Sequence, residues 1–139
     1  GPGLPLDQYT DAVRTGNLLF LSGKGPRAVN GARPRGKLGR EYTVEQGYAH
    51  ARSVGLDLLA VMKSELGSLD RVAQVLRVNV FVQCAPDFTQ QSEVADAASN
   101  LLQEVLGDAG RHTRTSLGVY QLPKNAAVEV DMVVRTTAV

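Results

Sequence analysis

Ala126-Ala127-Val128-Glu129-Val130-Asp131-Met132-Val133-Val134-Arg135-Thr136 is the stretch whose reading decides the fold. Val128, Val130, Met132 and Val134 lie two apart, so on an extended backbone they leave one face, while Ala127, Glu129, Asp131, Val133 and Arg135 leave the other. That pattern is a half-buried strand with its apolar face in a core. A carboxylate such as Glu129 inside an apolar strand must meet water, a partner or a cleft. An apolar residue on that second face, if helices cover only the first, points to contact between subunits.

Working outward from this strand, Pro123-Lys124-Asn125 is a turn, and residues 115–122 before it read as a further strand joined in a hairpin to 126–136. Residues 107–113 form a polar connection. Before them a helix opens at Pro86-Asp87, places Val94, Ala97, Ala98, Leu101, Leu102 and Val105 on one face, and ends at Gly107. Residues 72–84 alternate again, with Leu76, Val78, Val80 and Val82 on one side and Arg77, Asn79 and Gln83 on the other. Thr43-Val44-Glu45-Gln46 is a capping-box signature. Val44, Tyr48, Ala51, Gly55, Leu58, Leu59 and Met62 follow at helical spacing, and Gly67 stops a helix of about six turns. Residues 24–42 have no period but six glycines and prolines with six basic side chains, so they read as a long solvated loop with room for a short edge strand. Asp11-Ala12-Val13-Arg14 and Leu18-Leu19-Phe20-Leu21 flank a turn and form a hairpin. The order is ββ, helix, strand, helix, ββ. Two amphipathic helices on one face of a mixed sheet satisfy every apolar stripe, which predicts an α+β fold.

Composition narrows the function classes. A chain of 139 residues fits one domain, residues 1–139, with Gly1-Pro2 read as a remnant of tag cleavage. It has 43% hydrophobic and 21% charged residues and no Trp, so the core rests on Val, Leu and Ala. The formal charge of +1 and the lack of aromatics among the loop cations argue against nucleic acid as a partner. No apolar run approaches the roughly 18 residues of a membrane span, and the N-terminus has no signal-peptide pattern. A soluble cytoplasmic protein is the expectation. One cysteine, Cys84, excludes an intrachain disulfide, and with His50 and His112 it is too thin a set for a structural zinc site, so no metal is expected. HExxH, GxSxG and CxxC are absent. Cys84 has no basic neighbour in sequence, and an inert thiol is the commoner reading. His112 and Arg114 lie two apart and leave the same face of a strand. They are either surface residues or a guanidinium fork for a carboxylate.

Resemblance extends this reading. Tyr9-Thr10-Asp11-Ala12-Val13, Gly16-Asn17-Leu18-Leu19-Phe20-Leu21-Ser22-Gly23, Leu69-Asp70-Arg71-Val72, Asp87-Phe88 and Arg114-Thr115-Ser116 resemble, in order, segments of the Rid (YjgF) family. Leu122-Pro123-Lys124-Asn125-Ala126-Ala127-Val128-Glu129-Val130 does so most specifically. The resemblance implies a chorismate-mutase-like α+β fold, a homotrimer, and ligand clefts between subunits. In deaminating members an arginine holds the substrate carboxylate, as Arg114 would, and a glutamate positions the attacking water, as Glu129 would. Tyr9, Ser22 and Gly23 match cleft-lining positions. The implied reaction converts a 2-imino acid or enamine to a 2-keto acid and ammonia, with no cofactor. Lys24, Ser92, Ser116 and His112 stand where typical members have glutamine, asparagine, cysteine and proline, so these four are further candidate ligand contacts. Lys24 points to a more acidic ligand if it reaches the cleft. A non-catalytic carboxylate-binding module is the alternative, and an endoribonuclease, also attached to the family by name, is the third reading. Because Arg114 and Glu129 are read onto neighbouring strands, both are expected to face one cleft.

Overall fold

The computed structural model describes residues 8–138. Gly1-Pro2, read as a tag remnant, lies outside them. The strands are β1 (Ala12–Thr15), β2 (Leu18–Lys24), β3 (Val72–Gln83), β4 (Thr113–Val119) and β5 (Val128–Thr136), and the helices are α1 (Val44–Leu66) and α2 (Gln91–Leu106). The sheet order is β1-β2-β5-β3-β4, with β3 and β4 parallel and the other neighbours antiparallel. Both helices cover one face, and the core lies beneath them.

α1 forms because its ends are written locally. The Thr43 hydroxyl accepts from the Gln46 N–H at 3.2 Å while the Gln46 side chain accepts from the Thr43 N–H at 2.8 Å. Gly67 closes the helix at φ 83°, a conformation that glycine adopts without penalty. Gly55 lets the helices approach, since a Cβ there would stand 2.8 Å from a Leu101 methyl. Among the described residues no helix is long and apolar enough to cross a membrane.

Several expectations are corrected. β4 and β5 are not paired, because β5 runs between β2 and β3. The β3–α2–β4 crossover places β4 parallel to β3 at the sheet edge, so β5 fills the inner position. β3 carries a bulge between Val75 and Arg77, which turns Val75 into the core in place of Leu76. Gln83, expected on a polar face, is fully buried. α2 begins at Gln91 rather than at Pro86-Asp87, and Val105 is exposed. The basic loop is not wholly solvated. Leu38 is buried and its backbone hydrogen-bonds both Gln83 and Ala85 at 2.9 Å. Lys37 is also buried, with its ammonium donating to the Tyr120 carbonyl and lying 4.3 Å from the Tyr120 ring centroid.

Candidate functional site

Two groups of the expected residues assemble, on opposite faces of the sheet. The first surrounds Glu129. β2 has one extra residue between Leu21 and Lys24 relative to β5, and this bulge places Gly23 beside Glu129. A Cβ on Gly23 would come within 2.8 Å of Glu129 Oε2, so glycine makes room for the carboxylate. The Ser22 hydroxyl donates to the Thr10 carbonyl at 2.6 Å, and its N–H donates to the Asp11 carbonyl at 2.9 Å. Ser22 thus pins the segment that brings Tyr9 to the mouth of a cavity of about 480 Å³, whose wall includes Glu129. Lys24 reaches this cavity, with its ammonium paired to Asp11 at 3.0 Å. Burial and the negative charge of Asp131 hold the Glu129 carboxyl above its ordinary pKa. Asp131 itself accepts from Asn79 Nδ2 at 2.8 Å.

The second group surrounds Arg114. Arg114 stands opposite Val78, on the helix-covered face, and its Nη1 donates to Asp96 at 2.8 Å and to Ser99 at 3.1 Å. His112 joins the same network. Its Nδ1 lies 2.6 Å from the Gly110 carbonyl, which can only accept, so Nδ1 carries the proton. In the neutral ring Nε2 then accepts from the Ser99 hydroxyl at 2.8 Å, and the Ser99 oxygen accepts from Arg114 Nη1. Both Arg114 contacts use Nη1, which leaves the Nε–Nη2 edge to present a planar fork. Ser92 lies in the first turn of α2, one and two turns before Asp96 and Ser99 on the same stripe. Ser116 shares the Arg114 face, and its buried hydroxyl has no partner. The sequence reading missed Asp96 and Ser99, although their spacing from Ser92 (four, then three residues) is helical.

The expectation that Arg114 and Glu129 share a cleft within one chain is corrected. Glu129 pairs with Phe81 and Arg114 with Val78, three residues apart on β3 and on opposite faces. With β3 between them, strand spacings put their Cα atoms roughly 14 Å apart. One small acid cannot touch both in one chain. Cys84 is not among the residues of either group; its sulfur accepts from Gln91 Nε2 at 3.6 Å. Among the described residues, no three His, Cys, Asp or Glu side chains gather as a metal site.

Known proteins share this architecture. The family model described as "YjgF/chorismate_mutase-like, putative endoribonuclease" matches residues 4–135. Protein TCP17 of Trypanosoma cruzi is 45% identical over 131 residues, covering 94% of this chain and 82% of that protein. A 2-iminobutanoate/2-iminopropanoate deaminase of Dermatophagoides farinae is 27% identical over 131 residues, covering 94% of this chain and 87% of the relative. The crystal structure of Atu1372 from Agrobacterium tumefaciens superposes with a TM-score of 0.90 at 36% identity, covering 94% of this chain and 83% of that one. With its five-stranded mixed sheet and two helices on one face, the chain belongs to the YjgF/chorismate-mutase-like family.

Proposed function

We propose that this chain hydrolyses 2-imino acids or enamines to 2-keto acids and ammonia, in clefts between the subunits of a homotrimer. The observation that carries the reading is Glu129, a half-buried carboxylate with raised proton affinity on the wall of a cavity, beside a glycine that leaves space for it. The deaminase relative from Dermatophagoides farinae supports the same chemistry. Because the Arg114 and Glu129 groups lie on opposite faces, a complete site takes Arg114 from one subunit and Glu129 from the next. The open face of the sheet suits such a contact, since Leu117, Phe81 and Glu129 lie side by side on it across β4, β3 and β5. A head-to-tail contact of two different patches closes into a ring, and three copies give three clefts.

In this reading the free edge of Arg114 takes the substrate carboxylate in two parallel hydrogen bonds. Glu129 accepts a proton from a water as its oxygen adds to the imine carbon, and the C=N electron pair moves to nitrogen. The proton on Glu129 then passes to that nitrogen to give a carbinolamine. Glu129 next takes the carbinolamine hydroxyl proton and delivers it to the nitrogen as the C–N bond breaks and the carbonyl forms, and ammonia leaves. Free imines hydrolyse unaided, so orientation and charge binding are what the protein adds. The test is keto-acid release from imino acids generated in place by an amino-acid oxidase. Wild type should exceed buffer, and Arg114→Lys should be nearly as impaired as Arg114→Ala, because an ammonium cannot supply the planar fork. A carboxylate-binding module is the second reading, favoured by the fact that Asp96 and Ser99 organise Arg114 without Glu129. Carboxylate binding with no rate above buffer would establish it.

A further inference from the structure

We propose that the ligand of this site carries a second anionic group, away from the reacting carbon, which Lys124 and Arg33 bind at the rim of the Glu129 cavity. The proposal rests on the functional reading above and specifies its substrate class as a dianionic imino or keto acid.

Charge is the first observation. Four cations, Lys24, Arg27, Arg33 and Lys124, line the cavity against two carboxylates, Asp57 and Glu129. Two of the cations are already matched, Lys24 by Asp11 at 3.0 Å and Arg27 by Asp57 at 2.6 Å. Arg33 and Lys124 take part in none of the ion pairs among the described residues. They do not neutralise Glu129 either. A cation against that carboxylate would lower its pKa, whereas burial and Asp131 raise it. Two positive charges therefore face the cavity with no anion of the protein assigned to them.

Backbone geometry is the second observation. Lys124 and Asn125 have φ of 58° and 59°, so two successive non-glycine residues occupy the left-handed region. L-residues persist there only when their surroundings hold them, and such positions cluster at ligand-binding sites. Here the holder is Gln83, fully buried at the end of β3. Its Nε2 donates to Asn125 Oδ1 at 2.7 Å and to the Gly36 carbonyl at 2.9 Å. Gly36 in turn donates its N–H to the Asn125 carbonyl at 3.0 Å. The Lys124 turn and the basic loop that carries Arg33 are thus fixed to one buried side chain and to each other.

Size is the third. About 480 Å³ falls within the roughly 300–1,000 Å³ of pockets that bury drug-sized ligands, well beyond the needs of a four-carbon monoacid. A longer side chain ending in a carboxylate or phosphate fits both the volume and the charge.

Calorimetry with three keto acids tests this: 2-ketobutyrate with one anionic group, 2-ketoglutarate with a second carboxylate, and phosphohydroxypyruvate with a phosphate. At least one dianionic acid should bind about tenfold or more tighter than 2-ketobutyrate, and which one does identifies the second group. Arg33→Gln combined with Lys124→Gly should bring that ratio close to one. Glycine suits the left-handed position, so the turn is kept while the charge is removed. Arg40→Gln, which removes a charge from the same loop outside the cavity, should keep the wild-type ratio. Equal binding of all three acids to wild type, or a preference that survives in the double variant, overturns the proposal alone. Failure of all three to bind overturns the site reading and this inference with it.

Discussion

Glu129 and Gly23 show how a single residue sets the terms of the site. The folded protein holds the Glu129 carboxyl above its ordinary value of 4.5 through burial first and Asp131 second, so ionising it costs folding stability. Between the unfolded and folded pKa the native state keeps a proton that the unfolded chain has lost, and stability falls as pH rises through that window. Glu129→Gln should therefore raise Tm above the folded pKa and leave it unchanged below 4.5, where both states are protonated. The same substitution removes the proposed base and should lower the deamination rate by about 10²–10⁴-fold. In wild type the rate should fall as acid protonates Glu129. Full activity in Glu129→Gln would show that another group activates the water. Gly23→Ala probes the same pair from the other side. The three atoms nearest its methyl are Oε2, Cδ and Cγ of the flexible Glu129 side chain, so the carboxylate should shift with little loss of stability. The expected outcome is a lower kcat at nearly unchanged Tm, and an unchanged kcat would mean that Glu129 works from another position.

Elements differ in how far their own residues declare them. α1 was legible at both ends, because a capping box and a C-terminal glycine are local chemistry. β5 was legible as a strand, but its place between β2 and β3 was not, since pairing depends on residues far along the chain. The same holds for the β3 bulge, which only the partner strand reveals. Arg114 and Glu129 were legible through family resemblance, while alternation alone could not show that they face opposite ways once β3 intervenes. Alternation puts Gln83 on the polar face of its strand, yet loops from two distant parts of the chain close over it. Its Oε1 accepts from the Leu122 N–H at 2.6 Å and from Gln121 Nε2 at 2.9 Å, completing the contacts made by its amide nitrogen. Gln83→Leu keeps the volume but strands the Gly36 carbonyl and the Leu122 N–H, at about 1–3 kcal/mol for each group left unsatisfied. Urea unfolding should show a loss of about 2–6 kcal/mol, and hydrogen exchange at the Leu122 amide should accelerate. A loss under about 0.5 kcal/mol would mean that water replaces the side chain without cost.

At the scale of the whole molecule, opposite placement of the two groups makes assembly a condition of the activity proposed above. Val13, Phe20 and Leu117 are 56%, 45% and 48% exposed on the open face in a single chain, so they contribute little to folding the subunit and are available to a neighbour. Light scattering should give about three times the 14.8 kDa chain mass. Leu117→Asp should reduce the mass to that of one chain and abolish activity, with the circular dichroism of the helices unchanged. Mass alone does not show that a cleft is shared, but mixing of inactive chains does. Arg114→Ala and Glu129→Gln chains would each form trimers without a complete site. After unfolding and refolding together in equal amounts, each cleft draws its arginine from one subunit and its glutamate from the next. The chance that the arginine comes from a Glu129→Gln chain is about one half, and the chance that the glutamate comes from an Arg114→Ala chain is about one half, so about a quarter of the clefts carry both native residues. Deaminase activity in the mixture should recover to about a quarter of wild type. Each variant refolded alone should stay at its own low rate. No recovery in a mixture proven to contain mixed trimers would mean that one chain supplies both groups, and the cleft between subunits would have to be abandoned as the site.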